Sequence, residues 1–596
     1  MPARPILLLL SLAALLGAPA RAVEPAPRWP LDLPERYLTS NFMESRPGRF
    51  HAGLDFKTRS ESGFPAYAVT DGWLSRISFG PGGYGKALYL NGDDGRIYVY
   101  AHLERLADPW RGLVQEAQAR RGRYDVSLYF PKGQHPVRRG DVVALTGQTG
   151  TSGPHLHFEV RDAHNRPLDP QACGFAVDDA IPPRLLAVRV HPAGPSAAVD
   201  GRPMAAGVTA QGDAGLPAEL PDLAVRGPIA LSLRLDERTD AAGHRLAPWR
   251  LAVTLDDSLV YESRNDRLDF GRNGQAVLEW LRTDAGLERW LLRHPLVALD
   301  GRTGGDWSLD PRVLTPGSHL VRITAEDRAG NRAQTSWRLL VDGAVQGAWP
   351  AAPVRAEPPA PLEGVAWLDP FQAELAGRVV SLDTLAARLD RTVGAVHGPD
   401  ALTPEETAAM RRTQGLRALG WGRAVYAADW PLGRLLDLAP AWPDTLPAGA
   451  GVYLAQGEGW SYYGAGVRTA GAWRLDVGGA GRFQLCVDDQ APYLGPGPEE
   501  GLVRPGPDAT VAAVTPPRWE IVPIRLEDLG SGVDSGSLEA FWDDSPFWPE
   551  PDPPRRRVLV EPPADAAPGP HRLLLRARDR AGNVSERSYT LHLIDE

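Results

Sequence analysis

The chain has 596 residues, too long for one hydrophobic core and enough for about three to five domains. Its formal charge is −10, with 64 Lys and Arg against 74 Asp and Glu and no long run of one sign, which argues against nucleic acid as the main partner. Cys173 and Cys486 are the only cysteines, so a cysteine-rich metal centre is excluded and any metal must be held by histidine and carboxylate.

The first segment, MPARPILLLLSLAALLGAPARA (1–22), has a basic start, an apolar run from Ile6 to Leu16 and an Ala-Arg-Ala end. It reads as a secretory signal peptide cleaved after Ala22. The run is shorter than the ~20 apolar residues of a membrane span, and no later stretch reaches that length. The expectation is an exported chain, periplasmic or extracellular, without a membrane span. Export permits a disulfide, but no spacing pattern supports pairing Cys173 with Cys486.

Residues 23–179 read as one strand-rich domain. The stretches 67–79 and 86–103 alternate apolar and polar residues, the second as a hairpin turning through Asn91-Gly92-Asp93-Asp94-Gly95. Residues 108–121 (DPWRGLVQEAQARR) are rich in helix formers and predict a helix inserted between strands. Residues 136–147 predict a turn and a strand. After Asp179 the texture becomes short strands with Gly/Pro turns, beginning with a strand in 180–190, as in β-sandwiches. PGSHLVRITAEDRAGN (316–331) recurs as PGPHRLLLRARDRAGN (568–583), 252 residues later, each followed by another strand. That predicts two copies of one sandwich domain, 180–342 and 511–596. The period is too long for a solenoid. Residues 343–364 are a proline-rich spacer. Residues 365–510 form a mixed region of unassigned fold, with a helix-like 402–416, a strand-like 481–489 and a linker or extended arm at 491–507.

Three short elements carry chemistry. HLHFEV (155–160) predicts a strand with His155, His157 and Glu159 on one face and Leu156, Phe158 and Val160 turned into a core. Upstream, RFHAGLDFKT places His51 four residues before Asp55, with Gly53 letting the backbone bend so that the two side chains converge. RIYVYAHL (96–103) ends a strand at His102, whose alternation puts Tyr98 and Tyr100 on its face as residues that could line a cleft. Glu159 is either a partner that orients a neighbouring histidine or an outward-facing surface carboxylate. His135 and His164 are expected at the surface.

In this order, H-x-x-x-D, Y-x-H-L and G-P-H-L-H-F-E resemble the lysostaphin-like (LytM-type) zinc endopeptidases that cut peptidoglycan cross-bridges, over about Leu38 to Pro170. Gly82-Gly83-Tyr84-Gly85 and Thr149 to Pro154 fit the same pattern. The resemblance implies a mainly β fold: an antiparallel β peptidase domain of the duplicated-hybrid-motif kind, followed by β-sandwich modules that resemble bacterial immunoglobulin-like domains. It implies one Zn2+ ligated by His51, Asp55 and His157, with His102 and His155 as catalytic histidines that do not bind metal. It also implies a peptidoglycan stem peptide or cross-bridge as substrate, with an envelope protein as a further partner for the sandwich modules. Some relatives of this fold have lost their ligands and activate other wall hydrolases, so a non-catalytic regulator is the alternative. The stretch between His102 and Val137 is longer than the shortest relatives need, and is expected to wall or cover the groove.

Overall fold

The computed structural model describes residues 27–341 except 47, 193–196, 203–204, 212–214, 240–242, 284–285, 292–297 and 305–314. Beyond these it describes 522–593 except 564–565 and, between 365 and 521, strands and a helix with some adjoining residues. The signal segment 1–22 and the spacer 343–364 lie outside the described residues. No described helix is long and apolar enough to cross a membrane.

Ten strands and one helix position the site. They are β1 (Leu38–Ser40), β2 (Leu54–Lys57), β3 (Pro65–Tyr67), β4 (Gly72–Phe79), β5 (Lys86–Gly92), β6 (Ile97–Ala101), β7 (Leu103–Leu106), α1 (Trp110–Arg121), β8 (Val126–Tyr129), β9 (Val142–Thr146) and β10 (His155–Arg161). The larger sheet runs β1-β2-β10-β6-β5-β4-β8 with every neighbour antiparallel. A smaller sheet runs β3-β9-β7. One core joins them, with Phe56, Leu88, Tyr98, Tyr100, Leu156 and Phe158 from the larger sheet meeting Ala66, Leu103 and Val143 from the smaller. The period-two pattern of HLHFEV is thereby realised: Leu156, Phe158 and Val160 are fully buried on the core face.

The stretch 67–79, with its Asp71-Gly72 turn signal, spans two strands: the chain leaves β3 at Tyr67 and enters the other sheet at Gly72. The predicted helix is α1, which turns Trp110, Val114 and Ala117 into the core and stops at Gly122, left-handed at φ 64°. The rest of the insertion extends the sheet. β8 is an edge strand with three strands between it and β10, about 19 Å away at ~4.8 Å per strand, so this part neither walls nor covers the histidines. Tyr98 and Tyr100 also depart from expectation. Both are fully buried in the core and line no cleft.

A second body packs two sheets around one core. Val188, Leu231 and Leu233 come from the sheet of Arg184–Pro192, Ile229–Asp236 and Gly286–Trp290; Val253, Val321, Ile323 and Trp337 come from that of Arg250–Leu255, Gly317–Glu326 and Arg332–Val341. The last body repeats this plan around the hairpin Gly569–Asp579/Val584–Leu593. Each has a parallel strand pair, Leu223–Arg226 beside Arg332–Val341 and Val511–Val514 beside Val584–Leu593. The stretch 491–507, expected as a linker or arm, instead holds two strands; Tyr493–Pro496 pairs with Val522–Glu527 and Val503–Pro505 with Val511–Val514. In the middle region the expected helix is Pro404–Gln414, and the expected strand Gly481–Asp488 lies between Leu416–Ala427 and Ala450–Gln456. Cys173 and Cys486 are buried and free.

Gly53 is required by a close approach between chains. A Cβ there would sit 2.3 Å from the Phe158 carbonyl oxygen and 2.8 Å from Glu159 Cγ. Gly53→Ala should therefore push the His51–Asp55 segment off β10 and lower stability by about 1–3 kcal/mol. A urea titration of the purified chain measures this, and an unchanged midpoint would contradict it.

Candidate metal and catalytic site

The site is built on the face of the larger sheet opposite the core. Asp55 on β2 stands directly across from His157 on β10 in an antiparallel register, so both side chains rise from the same face. His51 precedes β2 and is held by backbone bonds on both sides: its N–H donates to the Glu44 carbonyl at 2.9 Å, and its carbonyl accepts from Met43 N–H at 2.8 Å. The three side chains are 8 %, 6 % and 4 % exposed in the order His51, Asp55, His157.

Their donor atoms converge. His51 Nε2 lies 3.1 Å from Asp55 Oδ1 and 2.9 Å from His157 Nδ1; His157 Nδ1 lies 2.8 Å from Asp55 Oδ1. The remote nitrogens settle which atoms face inward. His51 Nδ1–H donates to the Asn41 carbonyl at 2.8 Å, which leaves a lone pair on Nε2. His157 Nε2–H donates to Glu159 Oε1 at 2.9 Å, which leaves the lone pair on Nδ1. Two imidazole lone pairs and a carboxylate oxygen pointed at one another repel unless something positive lies between them. Ligands of a tetrahedral zinc at ~2.05 Å stand about 3.3 Å apart, close to this spacing. The donor set therefore fits a divalent zinc-type ion.

Burial opposes ionisation of Asp55, but His51 and His157 hold its carboxyl well below the ordinary range. Burial likewise opposes charge on His157, yet its bonds to Asp55 and Glu159 raise its pKa to about 9. Without a metal, a proton occupies the position.

Glu159 is no surface residue. It is fully buried, accepting from His157, from Arg161 Nε at 2.6 Å and from the Tyr84 hydroxyl at 2.5 Å. Burial would raise its pKa; Arg161 and the His157 bond bring it to about 2. The orienting reading of Glu159 is the one its position supports. Tyr84 and Arg161 were not singled out for this by the sequence reading, although Arg161 continues the alternating face of 155, 157 and 159.

His102 and His155 sit beside the three. His102 has φ 58°, a left-handed conformation costly for a residue with a Cβ, so it breaks the alternation that would have grouped it with Tyr98 and Tyr100. Its ring centroid is instead 4.7 Å from that of His155 and 5.7 Å from that of His157. His102 Nδ1–H donates to the Thr149 carbonyl at 2.7 Å, and His155 Nδ1–H to the Gly153 carbonyl at 2.9 Å. Both Nε2 atoms therefore carry lone pairs, and that of His155 lies 3.6 Å from Asp55 Oδ1. Burial lowers both pKa values, that of His102 to about 3 with help from His155 and His157. His135 stacks edge-on against Phe130, and neither His135 nor His164 joins the cluster.

The second body grips both ends of the segment leading to His51. Asn41, whose carbonyl orients His51, exchanges two side-chain bonds with the backbone of Ala247, at 2.7 and 2.8 Å. Asn273 Oδ1 accepts from Phe50 N–H at 2.6 Å, next to His51. Leu268, Ala276 and Leu299 join the core of the N-terminal domain itself. No sequence pattern signals these contacts, because they link residues more than 200 positions apart.

No family model matches the chain. It is 33% identical over 141 residues to an uncharacterized metalloprotease of Haemophilus influenzae, covering 22% of this chain and 24% of that protein. It is 28% identical over 134 residues to the murein hydrolase activator NlpD of Salmonella dublin, covering 22% of this chain and 28% of that one. Among solved structures, a zinc-containing peptidase from Vibrio cholerae is 31% identical, with 26% of this chain and 40% of that chain covered and a TM-score of 0.19. The chain thus spans about a quarter of the length of these curated relatives. The N-terminal domain is thus similar to LytM-type metallopeptidases and their relatives, and His51, Asp55 and His157 converge in a cluster that fits the motif of that family.

Proposed function

We propose that the chain is a zinc-dependent endopeptidase that hydrolyses peptide cross-links of bacterial peptidoglycan in the cell envelope. His51 Nε2, Asp55 Oδ1 and His157 Nδ1 hold the ion, and His102 and His155 handle protons. The observation that carries this reading is the convergence of three buried donor atoms beside two neutral histidines whose Nε2 atoms are free of protons. When bound, zinc supplies Lewis acidity at neutral pH. The histidines supply the rest. Each is fixed by an Nδ1–H bond to a backbone carbonyl, so its Nε2 can take a proton from attacking water and return it to the departing amine. Protonated, the same atom can donate to the oxyanion of the tetrahedral intermediate.

The murein hydrolase activator among the relatives favours a second reading, a non-catalytic regulator of another wall hydrolase. Digestion of purified peptidoglycan by the zinc-loaded full chain, with mass analysis of the released muropeptides, separates the two. His157→Ala should lose zinc and cleavage together. His155→Ala should keep zinc and lose turnover by about 10²–10⁴-fold. One zinc per chain with no cleavage of any peptidoglycan would favour the regulator.

Positioning residues should show in affinity. Glu159→Gln should weaken zinc binding about 10–100-fold, because the amide cannot hold His157 Nε2–H and Arg161 at once. Asn273→Ala should weaken it less, through a looser Phe50. Competition with a chromogenic chelator reads both.

Zinc uptake should depend on pH in a defined direction. Metal-free His157 is protonated below about 9, so its charge stabilises the metal-free fold below ~6.5 and that contribution is lost as pH rises through about 9. Zinc must displace this proton. Affinity should rise between pH 6 and 9, with about one proton released per zinc at pH 7. Calorimetry in buffers of different ionisation enthalpy measures the release; none at pH 7 would contradict it.

A further inference from the structure

Between the peptidase domain and the second body lies a small cavity, lined by Asn41 and Asp169 on one side and by Asp179, Glu237, Thr239 and Asp327 on the other. Asp179, Glu237 and Asp327 each offer a carboxylate oxygen, and the three lie within 4.8 Å of one another. Glu237 is 2 % exposed, and its Oε2 has no hydrogen-bond partner. Thr239 Oγ1, on the same cavity, is also buried and unpartnered. Native structures rarely leave such oxygens orphaned, since each costs about 1–3 kcal/mol. Arg328, which borders the cavity, is engaged by Asp169 at 2.6 Å and Asp266 at 3.0 Å. Burial and then the charges of Asp327 and Asp179 push the Glu237 pKa up to about 9. These surroundings would be relieved by a cation.

We propose that Asp179, Glu237 and Asp327, with Thr239, form a calcium site at this seam. The donors are all oxygen, which selects a hard cation over zinc. Three carboxylates and a hydroxyl make a protein-supplied oxygen cage, which calcium takes and which magnesium, reluctant to give up its waters, disfavours. The last body provides a built-in comparison. Asp488, Asp528 and Asp579 cluster at the corresponding places, and Asn583 reaches the Asp488 carbonyl at 3.0 Å as Asn331 reaches that of Asp179 at 3.0 Å. There, however, the N–H groups of Gly530 and Gly532 satisfy both oxygens of Asp528, and Ser531 N–H bonds Asp488. Glu237 has no such turn on its Oε2. Calcium would stand in for those donors and tie Asp179, the strand end at Glu237 and the Asp327 turn together, beside the Asn41–Ala247 contact.

The test is a titration of the zinc-loaded full chain with calcium alone, with magnesium in parallel, by calorimetry and by thermal melting. One calcium per chain should bind, with Kd of about 10⁻⁵–10⁻³ M, and raise the melting temperature. Glu237→Gln and Asp327→Asn should each weaken it by about tenfold or more, while Asp528→Asn should leave it unchanged. Circular dichroism checks that the variants fold, and the wild-type titration decides even if they do not. No uptake at several millimolar calcium, equal affinity for magnesium, or undiminished affinity in folded Glu237→Gln and Asp327→Asn would each overturn the proposal.

Discussion

Everything at the site depends on Asp55 standing across from His157 inside the sheet. A carboxylate buried to this degree is tolerated only when its charge is answered. Asp55 and Glu159 bring two negative charges to one face, and Arg161 answers one of them. Arg46 reaches the other only at its edge, 3.4 Å from Asp55 Oδ2, and a proton on His157 or a divalent ion in its place completes the balance; Asp55 and Glu159 together raise the His157 pKa to about 9. The same electrostatic debt that raises this pKa suits the position to a cation. Glu159 then acts beyond orientation: it fixes the tautomer that turns the Nδ1 lone pair inward, and Tyr84 and Arg161 fix Glu159.

The sheet supplies accuracy that loops would not. Asp55 and His157 are placed by backbone pairing on rigid strands, with Phe56, Leu156 and Phe158 locked beneath them. His102 shows the opposite arrangement. It leaves the strand in a left-handed conformation, held by its N–H to the Tyr84 carbonyl at 2.9 Å and its ring to Thr149. A strand residue at this position would have pointed into the core with Tyr100. The backbone cost, about 1–2 kcal/mol, places a second imidazole on the site face.

How far the sequence was legible follows from the range of each signal. Alternation in HLHFEV correctly sent Leu156, Phe158 and Val160 inward, because a strand with one core face must obey period two. Helix formers marked Trp110–Arg121, and the repeated D-R-A-G-N marked two matching hairpins. Alternation misled at His102, because one positive φ reverses a face and no residue type announces it. It left Glu159 undecided, since a buried and a solvated carboxylate have the same period; only Arg161 two residues on hinted at a paired charge. Gly53 was read as a bend and is one, but the close approach to Phe158 that also demands glycine there is information held by another strand. The strands at 493–496 and 503–505 were hidden by Gly and Pro, whose turn signal outweighed pairing supplied from distant residues.

The contacts of the bodies beyond the N-terminal domain reach the site's own backbone. The second body bonds Asn41 and Phe50, the two ends of the segment that leads to His51. The last body reaches the other half: Glu550 pairs with Lys86 at 2.5 Å, and Arg555 bonds Gln148. Gln148 is adjacent to Thr149, which holds His102, and Thr149 Oγ1 also accepts from Lys86 N–H at 2.9 Å. Thus one body braces the segment that carries His51 and the other braces the loop that holds His102. Sub-ångström errors in either would misalign the two sets of nitrogens. The modules thus contribute to the geometry of the site, and the domain cut free of them would lose Leu268, Ala276 and Leu299 from its core together with the constraints that hold His51 and His102 in register.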